Sequence, residues 1–398
     1  MRVLINAISA KMGGASNYLK EIAIQLASRN SRDEFVFLLP PERIPAIQSL
    51  FPGAEVIGSN QAGAGVLARL WFDQITLRRM IREKRIDCLF SSADFGMLKA
   101  PCRQVLLVRN SVYFFAMYLE QYGGRRPWKA RLSDRFRRWL VCRSVTSADF
   151  VMTPSRAMLD ELCRWVTVPE TKGFANYYGV SHSRFSPRKF QEQKSGPWNL
   201  LFVSLYTDHK NLGTLLRGLE VLTRRGEDVH LSTTADPHWP AARITQSWVE
   251  DARLADSPLI RERVHFVLTD AAAAPKNLYA ACDIFVYPSV VESFGHALAE
   301  AMSSGLPIIA ADVATNRELC GSAALYFSPF DPGELAARVQ SVIADPVLRR
   351  RLGEAALTRS RLFRWEQHVD VLLGCLKGEM SRFNNVVDKG EEALIAAK

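Results

Sequence analysis

The sequence predicts an α/β protein of two doubly wound, Rossmann-like domains facing a central cleft, and three observations carry that expectation. At 398 residues the chain is long for one hydrophobic core and comfortable for two. Short apolar runs alternate with segments of helical period over residues 1–180, and the same alternation restarts at 198. Between the two series, residues 181–197 are polar, lack apolar period and read as a linker.

In the first series, strands are expected at Arg2–Ala7, Glu34–Leu39, Glu55–Ile57, Asp87–Phe90, Gln104–Val108 and Phe150–Thr153. Helical patterns between them include Tyr18–Ser28, Val66–Lys84, Trp128–Arg143 and Ser155–Trp165. The opening MRVLINAISA is basic then apolar, but Lys11-Met12-Gly13-Gly14 follows it instead of a cleavage site. It reads as a first strand entering a glycine loop, not as a signal peptide. The second series, residues 198–362, gives strands at Asn199–Ser204, Val229–Thr233, Val264–Leu268 and Ala324–Phe327, with a helix at Leu212–Thr223. Residues 363–398 read as a C-terminal helix and tail that pack back on the first domain, the end from Asn384 being polar and frayed.

Composition excludes several classes. An apolar share of 48% and a charged share of 23% suit a soluble globular protein. No window approaches the ~18 uncharged apolar residues of a spanning helix. The seven cysteines (Cys88, Cys102, Cys142, Cys163, Cys282, Cys320, Cys375) are odd in number and form no CxxC, so they read as reduced thiols of a cytosolic chain. No Asp-x-Asp and no His/Cys cluster suggests a metal, and no nucleic-acid module is visible. The net charge of +10 is uneven: residues 1–180 hold 26 Lys+Arg against 15 Asp+Glu, an excess of 26 − 15 = 11.

The most informative stretch is Tyr287 to Asp312, YPSVVESFGHALAEAMSSGLPIIAAD. The apolar run DIFVYP (Asp283 to Pro288) reads as a buried strand, with Glu292 at its exit. Ser293-Phe294-Gly295 follows as a small turn, then a helix starting near His296 that carries Glu300, then a further strand from Pro307. Ligands of parallel sheets sit outside the carboxyl ends of strands. Unpaired N–H groups and the dipole at a helix start attract phosphate, and Gly295, lacking Cβ, permits close approach. A carboxylate beside that phosphate site makes sense if it accepts hydrogen bonds from sugar hydroxyls. Two such carboxylates flanking a phosphate describe a nucleoside diphosphate sugar.

The string PS-x-x-ESFG with EAMSSGLP at the second Glu resembles the signature of the retaining, GT-B-fold glycosyltransferases of family four, the glycosyl transferases group 1. The resemblance covers the layout of nearly the whole chain and is most specific from Leu201 to Phe327. It implies that Glu292 holds hydroxyls of the transferred sugar and Glu300 those of the ribose. The amides of Ser293, Phe294, Gly295 and His296 would take the diphosphate, and the base would lie against the Val267–Asp270 loop, with Leu268 in the donor site. Lys210, entering a helix after the first strand of the second domain, matches the family's phosphate-binding Lys; from its residues alone it is equally a surface Lys. Six residues earlier the family carries an Arg, and this chain has Ser204, which cannot bind phosphate bidentately. Either another cation, with His209 nearest, takes that place or leaving-group stabilisation is weaker.

In the first domain, Gly13-Gly14 is a tight turn by its residues, and the resemblance puts it near donor phosphate (Gly14) and acceptor (Gly13). Where many relatives carry a His, this chain has Arg109-Asn110, so Asn110 is the catalytic candidate and Arg109 an acceptor contact. The aromatic stretch Val112 to Tyr122 offers Tyr113 to the acceptor. In RRPWKARLSDRFRRWLVCR (Arg125 to Arg143), Trp128, Leu132, Phe136 and Trp139 form one helical stripe among Lys129, Arg131, Arg135, Arg137 and Arg138. The stripe is either buried in the domain or, with its basic flanks, meets anionic lipid.

The expectation is thus a metal-independent retaining hexosyltransferase needing no cofactor. It would move sugar from a UDP- or GDP-sugar to a glycan or lipid-linked glycan acceptor in bacterial polysaccharide or lipopolysaccharide assembly. It would be cytoplasmic, peripheral at the inner face of the plasma membrane. Two alternatives fit the same residues: a nucleotide-sugar epimerase or hydrolase, and a membrane-attached nucleotide-sugar-binding protein without transfer activity.

Overall fold

The computed structural model describes residues 1–10, 13–29, 31–60, 65–185, 194–239, 245, 247–267 and 276–379. The chain divides into two compact units. One comprises Met1–Ala116, Pro127–Gly179 and the chain from Arg364 onward; the other comprises Met117–Arg126 and Val180–Phe363.

The first unit is built on a seven-stranded, all-parallel sheet. Its strands are β1 (Arg2–Asn6), β2 (Glu34–Leu39), β3 (Glu55–Gly58), β4 (Cys88–Ser91), β5 (Arg103–Leu107), β6 (Phe150–Thr153) and β7 (Gly173–Ala175), in the order β3-β2-β1-β4-β5-β6-β7. Continuous apolar runs such as VLI in β1 and VLL in β5 are fully buried, as strands covered on both faces must be. The second unit repeats the plan with β8 (Trp198–Phe202), β9 (Val229–Thr233), β10 (Val264–Phe266), β11 (Ile284–Tyr287), β12 (Ile308–Ala311) and β13 (Ala324–Phe327), all parallel. Its order, β10-β9-β8-β11-β12-β13, reverses direction between β8 and β11. The corresponding reversal in the first sheet lies between β1 and β4. Ligands of doubly wound sheets bind outside the carboxyl ends of the strands at such a switch.

Several elements differ from expectation. The helical pattern Val66–Lys84 is two helices, Val66–Trp71 and Leu77–Glu83, joined by a π-turn over Phe72–Thr76. Buried Asp73 sits in that turn, where it accepts hydrogen bonds from Arg69 (2.7 Å) and, at 3.5 Å, Asn6. Edge strand β7 and the helices Ile44–Leu50 and Trp248–Ala255 are short elements, of three, seven and eight residues, that were not among the expected ones. The C-terminal helix Trp365–Lys377 belongs to the first unit. There His368 shares a 2.9 Å hydrogen bond with Tyr18 of helix Gly13–Ala27, and Trp365 stacks on Tyr178.

Helix Trp128–Ser147 does not bury its stripe, which rules out the first of the two readings offered for it. Trp128, Leu132, Phe136 and Trp139 keep 69%, 61%, 37% and 53% of their surface exposed. The helix is anchored instead through Leu140, Val141, Ser144 and Val145 in its last two turns, so its first three turns present aromatic side chains to solvent. All seven cysteines are free thiols, with Cys88, Cys282, Cys320 and Cys375 buried and Cys163 exposed. Among the described residues no helix is long and apolar enough to cross a membrane.

Candidate active site

The switch point of the second sheet brings together the loops that leave β8 and β11. After β8 the chain runs through Val203 to Thr207 into a 3-10 turn, Asp208–Lys210. Asn211 then takes a left-handed conformation (φ 55°, ψ 39°) before helix Leu212–Arg224 begins. Asparagine tolerates that region because its short polar side chain bonds locally. Here its Nδ2 donates to Pro288 O at 3.2 Å and its Oδ1 accepts from Thr214 Oγ1 at 2.8 Å. The backbone N–H of Val290 donates to His209 O at 3.0 Å. The two loops are therefore stitched together by main-chain and amide bonds, and this fixes where their charged side chains meet.

They meet as an ion pair. Lys210 Nζ lies 2.5 Å from Glu292 Oε1, and the buried Tyr287 hydroxyl donates to the same oxygen at 2.5 Å. Thr315 Oγ1 donates to the Glu292 carbonyl at 2.9 Å, securing the backbone beneath. Glu292 is buried, which opposes its charge. The Lys210 ammonium, with His209 and the Lys210 and Tyr287 hydrogen bonds, outweighs that and holds the carboxyl below its ordinary pKa. Tyr287 moves the other way, its hydroxyl pushed well above the usual range by burial and by the Glu292 charge. At neutral pH Glu292 is therefore a carboxylate and Tyr287 a neutral phenol.

Immediately downstream, Gly295 has φ 87° and ψ 65° and precedes helix His296–Ser303, which no side chain caps. The left-handed backbone favours glycine here, and a Cβ at Gly295 would sit tightly, 3.1 Å, against the Tyr287 hydroxyl. Phe294 is buried, edge-on to His296 and Phe363 at 5.4 Å each, and acts as the plug beneath the turn. Ser293 and His296 are partly exposed. Glu300, in the second turn of the helix, accepts from the Tyr279 hydroxyl at 2.6 Å.

Ser204 lies in the loop just after β8 and supplies no charge. Its N–H and C=O both bond Thr234 Oγ1 at 2.9 Å, and its own hydroxyl donates to Leu205 O. His209, the nearest candidate for that place, carries no charge of its own here at neutral pH. Burial, with Lys210 beside it, lowers its pKa to about 4, so the imidazole is neutral at pH 7. Its ring meets Tyr118 edge-on at 5.9 Å. Leu268 and the rest of the loop to residue 270 lie outside the described residues; Val267 ends the described chain there, its N–H donating to Thr233 O at 2.8 Å.

The remaining sequence candidates belong to the first unit. Gly13 and Gly14 open the helix after β1, Gly14 being exposed. One residue beyond Ala15, the buried Ser16 hydroxyl has no partner among the described residues. Arg109 and Asn110 follow β5, half-buried, and their N–H groups both donate to Asp94 Oδ1, at 2.8 and 2.9 Å. Asp94 is itself buried and left-handed (φ 57°), and burial raises its carboxyl pKa. The Arg109 guanidinium lies 5.7 Å from the Tyr18 ring. Tyr113 is buried, its hydroxyl 3.5 Å from Arg137 and its carbonyl accepting from Arg138 at 3.0 Å. Tyr287, Asp94 and Ser16 were missed from sequence because only the folded chain shows whom they face.

Residues 12–184 match the Glycosyltransferase Family 4 profile and residues 184–359 match Glycosyl transferases group 1. The O-antigen chain mannosyltransferase RfbU of Salmonella typhimurium is 26% identical over 205 residues. That match spans 52% of this chain and 54% of the relative, about half the length of each. Among solved structures, sucrose-phosphate synthase of Thermosynechococcus elongatus superposes with a TM-score of 0.71 at 17% identity, covering 96% of this chain and 99% of that one. Anabaena HepE in complex with UDP-glucose gives 0.70 at 16% identity, covering 94% and 100%. Two sheets of this topology, two adjoining family matches and whole-chain superpositions place this chain among the GT-B-fold glycosyltransferases related to the family 4 and group 1 families of nucleotide-sugar transferases.

Proposed function

We propose that the chain is a retaining hexosyltransferase that moves a sugar from a nucleoside diphosphate sugar to an acceptor hydroxyl. The single observation that carries this reading is the Lys210–Glu292–Tyr287 group at the β8/β11 switch, one turn before the uncapped helix His296–Ser303. Both donors bind Glu292 Oε1, which leaves Oε2 to accept hydroxyls of the transferred sugar. Lys210 has two further N–H donors for the diphosphate, and the backbone around Ser293, Phe294, Gly295 and His296 adds the helix-start dipole. Glu300 takes the ribose hydroxyls. Ser204 is assigned to the donor as well, Gly14 and Leu268 are assigned to it from the sequence resemblance alone, and the fixed charge of Lys210 stands where other transferases use a metal.

Transfer with retention breaks the anomeric C–O bond to phosphate and forms the new C–O bond to the acceptor on the same face. The acceptor proton passes to the departing phosphate oxygen, so the nucleoside diphosphate leaves as the new glycoside forms. Asn110 is assigned to the reacting sugar, and Arg109, Tyr113 and Gly13 to the acceptor. The relative named as an O-antigen chain mannosyltransferase supports a glycan precursor of a bacterial surface polysaccharide as acceptor. The exposed aromatic stripe of helix Trp128–Ser147, flanked by Lys129, Arg131 and Arg135, supports peripheral attachment to an anionic membrane face, where such an acceptor resides.

A screen of UDP- and GDP-sugars by thermal shift identifies the donor, because a ligand of the native state raises its melting point by mass action. With that donor, Glu292→Gln is expected to lower transfer roughly a hundredfold or more, assayed at a temperature where circular dichroism shows the variant still folded. Unchanged transfer by the variant removes Glu292 from the chemistry.

A further inference from the structure

The loop that carries Lys210 is held on two sides, and only one of them belongs to the pair with Glu292. On the other side stands helix Trp248–Ala255. The Tyr206 hydroxyl donates to Asp251 Oδ2 at 2.6 Å, and the Ser247 N–H donates to Asp208 Oδ1 at 2.9 Å. Asp251 is buried, 5% exposed, in the first turn of that helix. Gly213, in the first turn after Asn211, lies so close that a Cβ would come within 2.4 Å of Asp251 Oδ1. Glycine there lets the carboxylate lie between the two helix starts. A buried carboxylate is costly to fold unless its hydrogen bonds are made, and here the partner is a side chain four residues before Lys210. Lys has four side-chain torsions, so the direction of its ammonium depends on how firmly the backbone beneath it is fixed.

We propose that Tyr206 and Asp251 are positioning residues for Lys210, clamping the β8 loop to helix Trp248–Ala255 so that the ammonium is held against Glu292 and the donor diphosphate. The diphosphate part of this rests on the function proposed above; the clamp itself does not. Neither residue touches the reacting atoms, and both act through Lys210.

The test separates these two layers. Amine acylation followed by peptide mass spectrometry reads the exposure of Lys210 with no ligand present. Tyr206→Phe, which removes one hydroxyl and keeps the ring, is expected to raise Lys210 acylation several-fold and leave Lys84 unchanged. Asp251→Leu should do the same, and Asp251→Asn, which keeps an acceptor oxygen, should stay near wild type. In calorimetry, UDP or GDP affinity is expected to fall about tenfold with Tyr206→Phe and no further when that change is added to Lys210→Met. Unchanged Lys210 acylation in Tyr206→Phe, or an additive loss of affinity in the double variant, overturns the clamp. If the wild type binds neither nucleotide, the donor reading fails and the acylation result alone decides the clamp.

Discussion

Glu292 and Lys210 are each unfavourable where they sit and stable only as a pair. Removing one partner of a buried pair leaves an uncompensated charge, so Lys210→Met is expected to destabilise the fold by about 3 kcal/mol in urea unfolding. The same variant should raise the Glu292 pKa, because the largest favourable influence on its charge is gone. The pH dependence follows from two opposed groups. Glu292 has a folded pKa below its unfolded value, so its contribution is present above the unfolded carboxylate range and is lost as pH falls. His209 titrates near 4 when folded against 6.5 unfolded, so the unfolded chain takes the proton first and stability drops as pH falls from about 6.5 to about 4. His209→Gln should flatten that part of the stability profile. By NMR the wild-type imidazole should remain neutral at pH 5; a midpoint at or above 6 would contradict its assignment as a neutral group. Glu292 and Glu300 stand out in the sequence because strand exits and helix starts are local patterns, whereas Lys210 is singled out only by the family resemblance. The neutrality of His209 and the Tyr206–Asp251 bond were not legible there, since they depend on neighbours distant in sequence.

At the scale of elements, the turn into helix His296–Ser303 depends on Gly295. Gly295→Ala would impose a Cβ on a left-handed backbone and crowd the Tyr287 hydroxyl, at a cost of about 1–3 kcal/mol. The melting point should fall and donor binding weaken with it; an unaffected variant would mean the turn is not what shapes the site. Helix Trp128–Ser147 shows where pattern reading stops. Periodicity reveals a stripe but not what covers it, and the buried apolar anchor of this helix proves to lie in its C-terminal turns. Co-sedimentation with vesicles rich in anionic lipid is expected, weakening at high salt and on Trp128→Ala with Trp139→Ala. Binding indifferent to salt, lipid charge and both tryptophans would discard the attachment surface. The π-turn at Phe72–Thr76 was equally hidden, because a buried Asp73 inside a helical pattern gives no signal of the bulge around it.

The whole molecule was the most legible level. Parallel strands buried on both faces read as uninterrupted apolar runs, which is why most of the thirteen strands among the described residues were located to within a residue or two. The three-residue edge strand β7 escaped because it is only partly buried and too short to show a period. Strand order could not be read from the sequence, yet it decides the chemistry. By reversing between β8 and β11 it sets Lys210 and Glu292, 82 residues apart, against each other. The measurement that tests the account most directly is a crystal structure with bound UDP or GDP, whichever raises the melting point more. The diphosphate should contact Lys210 Nζ and the backbone entering helix His296–Ser303, with Glu292 beside it and the ribose at Glu300. A nucleotide bound elsewhere, with the Lys210–Glu292 pair untouched, would contradict the assignment.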